Sequence, residues 1–160
     1  MTEHHNPEIK NQLKITIIIF YSLLSGLLLF FVIVMILIQN RVNSEGADID
    51  KVLVFLVPVF GLLMMFLSRL IYNQMLSKYR PGGGILQKIT YYRTAKIVSW
   101  ALIEGACLFA LVATLLTSNY LYTVVFIFLI GYFILMRPSK ESLIREMHLN
   151  SEESDLILKS

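Results

Sequence analysis

Twenty-five consecutive residues, Ile15–Gln39, carry no charge. Three more apolar runs follow, Val52–Tyr72, Ile97–Thr117 and Tyr120–Met136. About 30 Å of hydrocarbon takes about 20 apolar residues of helix to cross. A lipid interior offers no water to exposed amides, so such runs are stable there as helices that bond their own backbone. The apolar residues stand in blocks and not in strand-period or helix-period stripes, which marks spans and not the faces of a soluble core. They make up 56% of the 160 residues, with mean hydropathy +0.68; a soluble domain has about 45–50%. The expected fold is an all-α membrane protein, a four-helix transmembrane bundle with spans 15–39, 52–72, 97–117 and 120–136. A tail, 1–14, precedes the bundle, and a short amphipathic helix with an acidic tail, 137–160, follows it.

The first run is too long for the apolar part of a signal peptide, and no small-x-small cleavage site follows it, so it reads as a retained helix. Charge sets the orientation. The first tail has Lys10 and Lys14, and the link between runs two and three has Lys78, Arg80, Lys88, Arg93 and Lys96 with no acid. The last tail opens with Arg137, Lys140 and Arg145. The loop between runs one and two sets Glu45, Asp48 and Asp50 against Arg41 and Lys51, and Ser118-Asn119, between runs three and four, is uncharged. The positive-inside rule then places both termini and the middle link in the cytoplasm. The two-residue link makes runs three and four a tight antiparallel hairpin. Tyr72, Tyr79, Tyr91, Tyr92, Trp100, Tyr120 and Tyr122 stand near span ends, at headgroup level. Pro58 predicts a kink in the second span.

Glu104 is the costly residue. It lies about 12 Å of helix rise inside its span, where a carboxylate must be protonated, paired or hydrated. Arg69, about one turn from the end of the second span, has a side chain long enough to be its partner, and Ser68 and Ser99 are the other candidate partners. Glu104 and Arg69 therefore form the candidate ion-binding or structural pair. Arg80, Lys88, Arg93 and Lys96 are the candidate lipid-facing basic link, each worth about 1 kcal/mol against anionic lipid. Gly82, Gly83 and Gly84 beside Arg80 read as a flexible turn or an anion nest; the Lys-Ser/Thr ending of a P-loop is missing. Cys107 reads as a small buried residue. His4, His5 and His148 fall in no ligand-spaced pattern, so neither a metal nor a cofactor is expected. After Pro138, Ser139–Leu149 places Leu143, Ile144 and Met147 on one side of a helix suited to lying on the cytoplasmic face of the bilayer. Asn150–Ser160 reads as a mobile acidic end.

Ala101-Leu102-Ile103-Glu104-Gly105-Ala106-Cys107-Leu108-Phe109-Ala110 resembles the acid-bearing second helix of rotary ATP synthase proteolipid subunits, as does Arg80-Pro81 before it. That resemblance covers about fifteen residues and implies that Glu104 carries a proton or sodium ion. The first two spans depart from the family, since each has a single glycine where the proteolipid partner helix is glycine-rich. The last 70 or so residues, from Lys96 through Arg137-Pro138-Ser139-Lys140-Glu141 to the acidic tail, resemble small uncharacterised four-helix bacterial inner-membrane proteins. That resemblance implies location and no activity.

No nucleophile–base pair, paired carboxylates or phosphate loop is present, so a non-enzymatic role is expected. The leading reading is an accessory or scaffold subunit of a membrane complex, with the lipid bilayer, anionic lipids and homo- or hetero-oligomeric membrane partners around it and no nucleic acid. The alternatives are proton or cation translocation on Glu104, and lipid-headgroup binding or modification at the cytoplasmic face. The expected location is the bacterial inner membrane.

Overall fold

The computed structural model describes residues 7–39, 47–78, 85–147, 149 and 151–158. Those residues form six helices: α1 (Pro7–Gln39), α2 (Ala47–Ser77), α3 (Ile85–Thr117), α4 (Leu121–Leu135), α5 (Lys140–Glu146) and α6 (Ser151–Leu158). Arg80, Gly82–Gly84, His4, His5 and His148 lie outside the described residues. The helices α1, α2 and α3 are long and apolar enough to cross a membrane. The fourth run is only 15 residues of helix, about 22 Å, and α5 leaves it at 76°. It makes a fourth crossing only if α4 and α5 count as one broken span.

Helix α3 packs against α1, α2 and α4. Its inner face is built from small residues, with Ala95, Ser99, Ala106, Ala110 and Ala113 all buried. Short side chains let neighbouring backbones come close, which stands in for the hydrophobic drive that lipid does not supply. Larger groups fill the remaining spaces. Phe20 of α1 stacks on Phe133 of α4 at 5.1 Å and meets Trp100 of α3 at 5.2 Å. Phe31 stacks on Phe126, and Phe60 meets Phe109 edge-on. Such pairs add about 1 kcal/mol each beyond their buried area. The Trp100 Nε1–H donates to the Met136 carbonyl at 3.2 Å, where α4 ends. The outer faces are apolar: Leu29 of α1, Phe55 and Phe66 of α2, and Val124 and Phe128 of α4 are all exposed. A soluble monomer does not show so continuous a belt.

The helices run further than the apolar runs. Helix α1 begins at Pro7 within the expected tail, at a position where a missing N–H leaves nothing unbonded. Helix α3 begins at Ile85, twelve residues before Ile97, so Lys88, Arg93 and Lys96 stand on a helix and not on a loop. The overhanging ends of α1, α2 and α3 create a second apolar cluster at what we term the near end. Ile9, Ile89 and Tyr92 meet Leu143, Met147 and Ile157 there. Leu143 and Met147 of α5 are buried on the protein, with Ile144 packed beside them, because the overhangs offer them a surface. The expected mobile end forms α6, and its Ile157 is fully buried in the same cluster. Ser139 caps α5, accepting from the Ser142 N–H. The Glu141 carboxyl beside it is held below the usual carboxylate range by its own backbone N–H, then by the Ser139 hydroxyl.

At the far end, Asp50 in the first turns of α2 ties down the α3–α4 hairpin. Its carboxylate accepts from Asn119 Nδ2 at 3.0 and 3.1 Å and from the Tyr122 hydroxyl at 2.6 Å. Asn119 also accepts the Leu121 N–H, and Ser118 takes φ 56°, a left-handed turn that closes the link within a few residues. Hydrogen bonds to a charged group contribute about 1.5–3 kcal/mol each when buried, and less where half-exposed as here. Asp50→Ala is expected to lower stability by about 2 kcal/mol, read as a lower midpoint of denaturant unfolding in detergent. Asn119→Ala should lose less, because Tyr122 still reaches Asp50.

Candidate functional site

The near end of the bundle holds a buried polar cluster between α2, α3 and α5. It starts from a close contact between α2 and α3. Ser68 Oγ donates to the Ser99 carbonyl and Ser99 Oγ to the Ser68 carbonyl, both at 3.2 Å. Helical spacing then places Tyr72 four residues beyond Ser68, and Lys96 and Tyr92 three and seven before Ser99, on the faces that look at each other. The Lys96 Nζ lies 4.6 Å from the centre of the Tyr72 ring and 5.3 Å from that of Tyr92. Two ring faces that close provide cation–π attraction, strongest where water is excluded. Lys96 is 6% exposed.

The counter-charge comes from the C-terminal segment. Glu146 Oε2 lies 3.3 Å from the Lys96 Nζ. Tyr72 donates its hydroxyl to that same oxygen. Glu146 Oε1 accepts from the Ser142 hydroxyl at 2.8 Å. The Ser142 hydrogen is thereby committed, so the Tyr92 hydroxyl, 3.0 Å away, is the donor to Ser142 Oγ. One carboxylate thus gathers an ammonium and two hydroxyls, and Lys96 and Glu146 neutralise each other. Arg93 works nearby as a tie, donating to Gln12 Oε1 and joining α3 to α1.

The residues singled out from sequence fall in different places. Arg69 is exposed on α2, and Glu104 is half-buried on α3. No hydrogen bond or ion pair joins them, and their positions on the helices explain why. Ser68 and Ser99 define the α2–α3 contact. Glu104 is five residues past Ser99, about 140° round α3, and Arg69 is about 100° round α2 from Ser68. Glu104 belongs instead to the flank of an outer stripe with exposed Ala101, Gly105, Leu108 and Val112. A Cβ added at Gly105 would meet nothing within 4 Å. Of the basic link, Lys88 and Arg93 are half-buried and Lys96 faces inward.

Sequence reading missed Glu146, Tyr72 and Tyr92 as cluster members. The available signal was spacing. Ser142 and Glu146 are four apart, one position before Leu143 and Met147, so the acid shares a flank with the buried apolar pair. Tyr92 and Lys96 are likewise four apart. Elsewhere, a groove of about 310 Å³ opens on the outer face between α2 and α4, lined by Pro58, Gly61, Met65, Val125, Phe128 and Leu129 among others. Its lining offers almost no polar atom to orient a substrate. Cys107 is buried. Among the described residues, no three His, Cys, Asp or Glu groups converge on a metal-sized site. The cluster's chemistry is recognition of an anion by a cation and hydroxyls.

No family model, curated protein or solved structure matches the chain.

Removing one member of a buried ion pair leaves the other uncompensated, at about 3–5 kcal/mol for a fully buried pair. The Glu146 side chain keeps 23% of its exposure, so Glu146→Ala is expected to lose about 2–3 kcal/mol, below that full range. The double change Lys96→Met/Glu146→Leu, which removes both charges, should lose less than either single change. Thermal unfolding of the wild type, Lys96→Met, Glu146→Leu and the double variant in one detergent measures the difference.

Proposed function

We propose that this chain is a non-enzymatic subunit of a membrane complex, built as four spans with both termini cytoplasmic. The observation that carries the reading is Glu104, a carboxylate without a hydrogen-bonding partner among the described residues, on the flank of an outer stripe of small residues. A carboxylate at that depth costs several kcal/mol unless something meets it. Ala101 and Gly105 beside it let another helix approach closely. The fitting occupant is a transmembrane helix of another subunit that brings a hydrogen-bond donor or cation to the depth of Glu104.

The character of α4 supports a fourth span. It pairs with α3, exposes Val124, Ile127, Phe128 and Leu135, and has Tyr120 before it and Arg137 after it. With Tyr120 and Met136 included it approaches the length of a thinned bilayer. With an even number of spans the basic near end and both termini share one side, and the Lys and Arg distribution supports the cytoplasm as that side.

Mild extraction from native membranes, followed by mass measurement of the complex, tests the assembly. Glu104→Ala and Gly105→Leu are expected to release the partner helix with little loss of bundle stability, because the Glu104 carboxylate bonds to no described residue and a Cβ at Gly105 meets nothing within 4 Å. Glu104→Gln separates this reading from cation translocation. An amide still bonds to a partner, so assembly persists, whereas an ion-carrying role loses all activity with it. A wild-type protein that is extracted as a lone monomer, with no helix bound, sinks the proposal.

A further inference from the structure

We infer that Lys96, Tyr72 and Tyr92 form a binding site for the phosphate of an anionic lipid headgroup, and that the chain's own Glu146 occupies this site as a displaceable stand-in. The donors are already arranged. Lys96 is buried, and its ammonium lies against the rings of Tyr72 on α2 and Tyr92 on α3 as well as against Glu146, so two of its three contacts are independent of α5. The Tyr72 hydroxyl points at the same carboxylate oxygen that Lys96 holds. When α5 leaves, the Tyr92 hydroxyl, now committed to Ser142, becomes the third donor. A cation and two hydroxyls held on two long helices suit a phosphate oxyanion as well as a carboxylate.

Two further observations favour a lipid over a soluble anion. The first is depth. Tyr72 ends the second apolar run and Lys96 directly precedes the third, which is headgroup level for both helices. Lys88 on α3 and Arg137 before α5 add positive charge around that end when α5 leaves, and juxtamembrane cations concentrate anionic lipid at about 1 kcal/mol each. The second is the nature of the stand-in. Glu146 is carried by a helix of seven residues, followed by one of eight. Helices that short do not persist in isolation, so they keep their shape only while docked. They hang from α4 through Arg137, Pro138 and Ser139, which are not helical, at the 76° bend. Their hold consists of Leu143, Met147 and Ile157 in the near-end cluster and the Glu146 contacts. A unit of that size is the first part of the fold expected to open. Leaving alone would strand the Lys96 charge, whereas exchange of one anion for another would not. The site therefore couples lipid binding to release of the C-terminal segment.

The test uses the full chain, purified in an uncharged detergent, with thermal unfolding and native mass spectrometry as readouts. Phosphatidylglycerol, phosphatidylcholine and inorganic phosphate are added separately at equal concentration. In Glu146→Gln the stand-in charge is gone, so unfolding temperature falls and phosphatidylglycerol is expected to recover most of the drop. Its retention should be about tenfold above wild type, by mass action on an unoccupied site. Phosphatidylcholine and inorganic phosphate should recover little. Lys96→Gln in the Glu146→Gln background should abolish the recovery. If Glu146→Gln does not fold, Leu143→Asn takes its place, since it loosens α5 while keeping all three donors, and the same gain is expected. Equal effects of phosphatidylglycerol and phosphatidylcholine overturn the inference, as does recovery that survives loss of Lys96. Recovery by inorganic phosphate alone overturns the lipid assignment.

Discussion

Helix α3 touches three neighbours along most of its length, and the other features of the fold follow from how it does so. Its inner face carries Ala95, Ser99, Ala106, Ala110 and Ala113, which are small enough for α2 to approach until serine hydroxyls reach across to backbone carbonyls. A leucine at Ser99 would push α2 away and break both bonds. Lipid tails are as apolar as leucine, so burial alone gives two helices little reason to associate. Close backbone approach with reciprocal hydrogen bonds supplies that reason. Once α2 and α3 are in register at Ser68–Ser99, the positions of Tyr72, Lys96 and Tyr92 are determined by the helical repeat.

Strong polar contacts sit at the two ends of the bundle. Asp50, Asn119 and Tyr122 close the far end, and Lys96, Glu146, Tyr72, Ser142 and Tyr92 close the near end. Between them the bundle is held by aromatic stacking and small-residue contact. This division suits a membrane, where charged groups are cheapest near the interfaces and dearest at the centre. Glu104 breaks the pattern. It lies deeper than the near-end cluster, on the flank of an outer stripe, with no hydrogen bond from its own bundle among the described residues. Both end clusters are explained by packing within the chain, and Glu104 is not.

The apolar blocks made the helices and their order legible, because a span is a property of local composition. Helix ends were less legible. Ile85–Lys96 and Pro7–Lys14 look like charged linkers, yet they continue α3 and α1, since nothing stops a helix at the membrane boundary and the overhangs find partners in α5 and α6. Arg69 and Glu104 looked like a pair because sequence gives depth and hides rotation. Both lie near the same end of the membrane, but each turns away from the α2–α3 contact that Ser68 and Ser99 define. Lys96 is the opposite case. It stood among the basic residues of the link, and only the partner 50 residues later, Glu146, reveals that it is buried. Pairing across that separation depends on the 76° turn after α4, which Arg137-Pro138 marks as a helix end without fixing its angle.

Glu146 and Glu104 show two ways a chain can handle an acid near or within a membrane. Glu146 has an internal cation, two hydroxyl donors and partial burial, so its charge is balanced within the molecule. The Lys96 ammonium would be the uncompensated group if α5 departed, which makes the cluster responsive to any other anion at that depth. Among the described residues Glu104 has no paired cation, and the nearest one by sequence depth, Arg69, is on the wrong face of α2. Repacking side chains cannot join them, because the two helices are locked in rotation by the serine pair. Whatever balances Glu104 must therefore come from outside the described bundle or be a proton, and the small residues beside it make room for a helix to supply the balance.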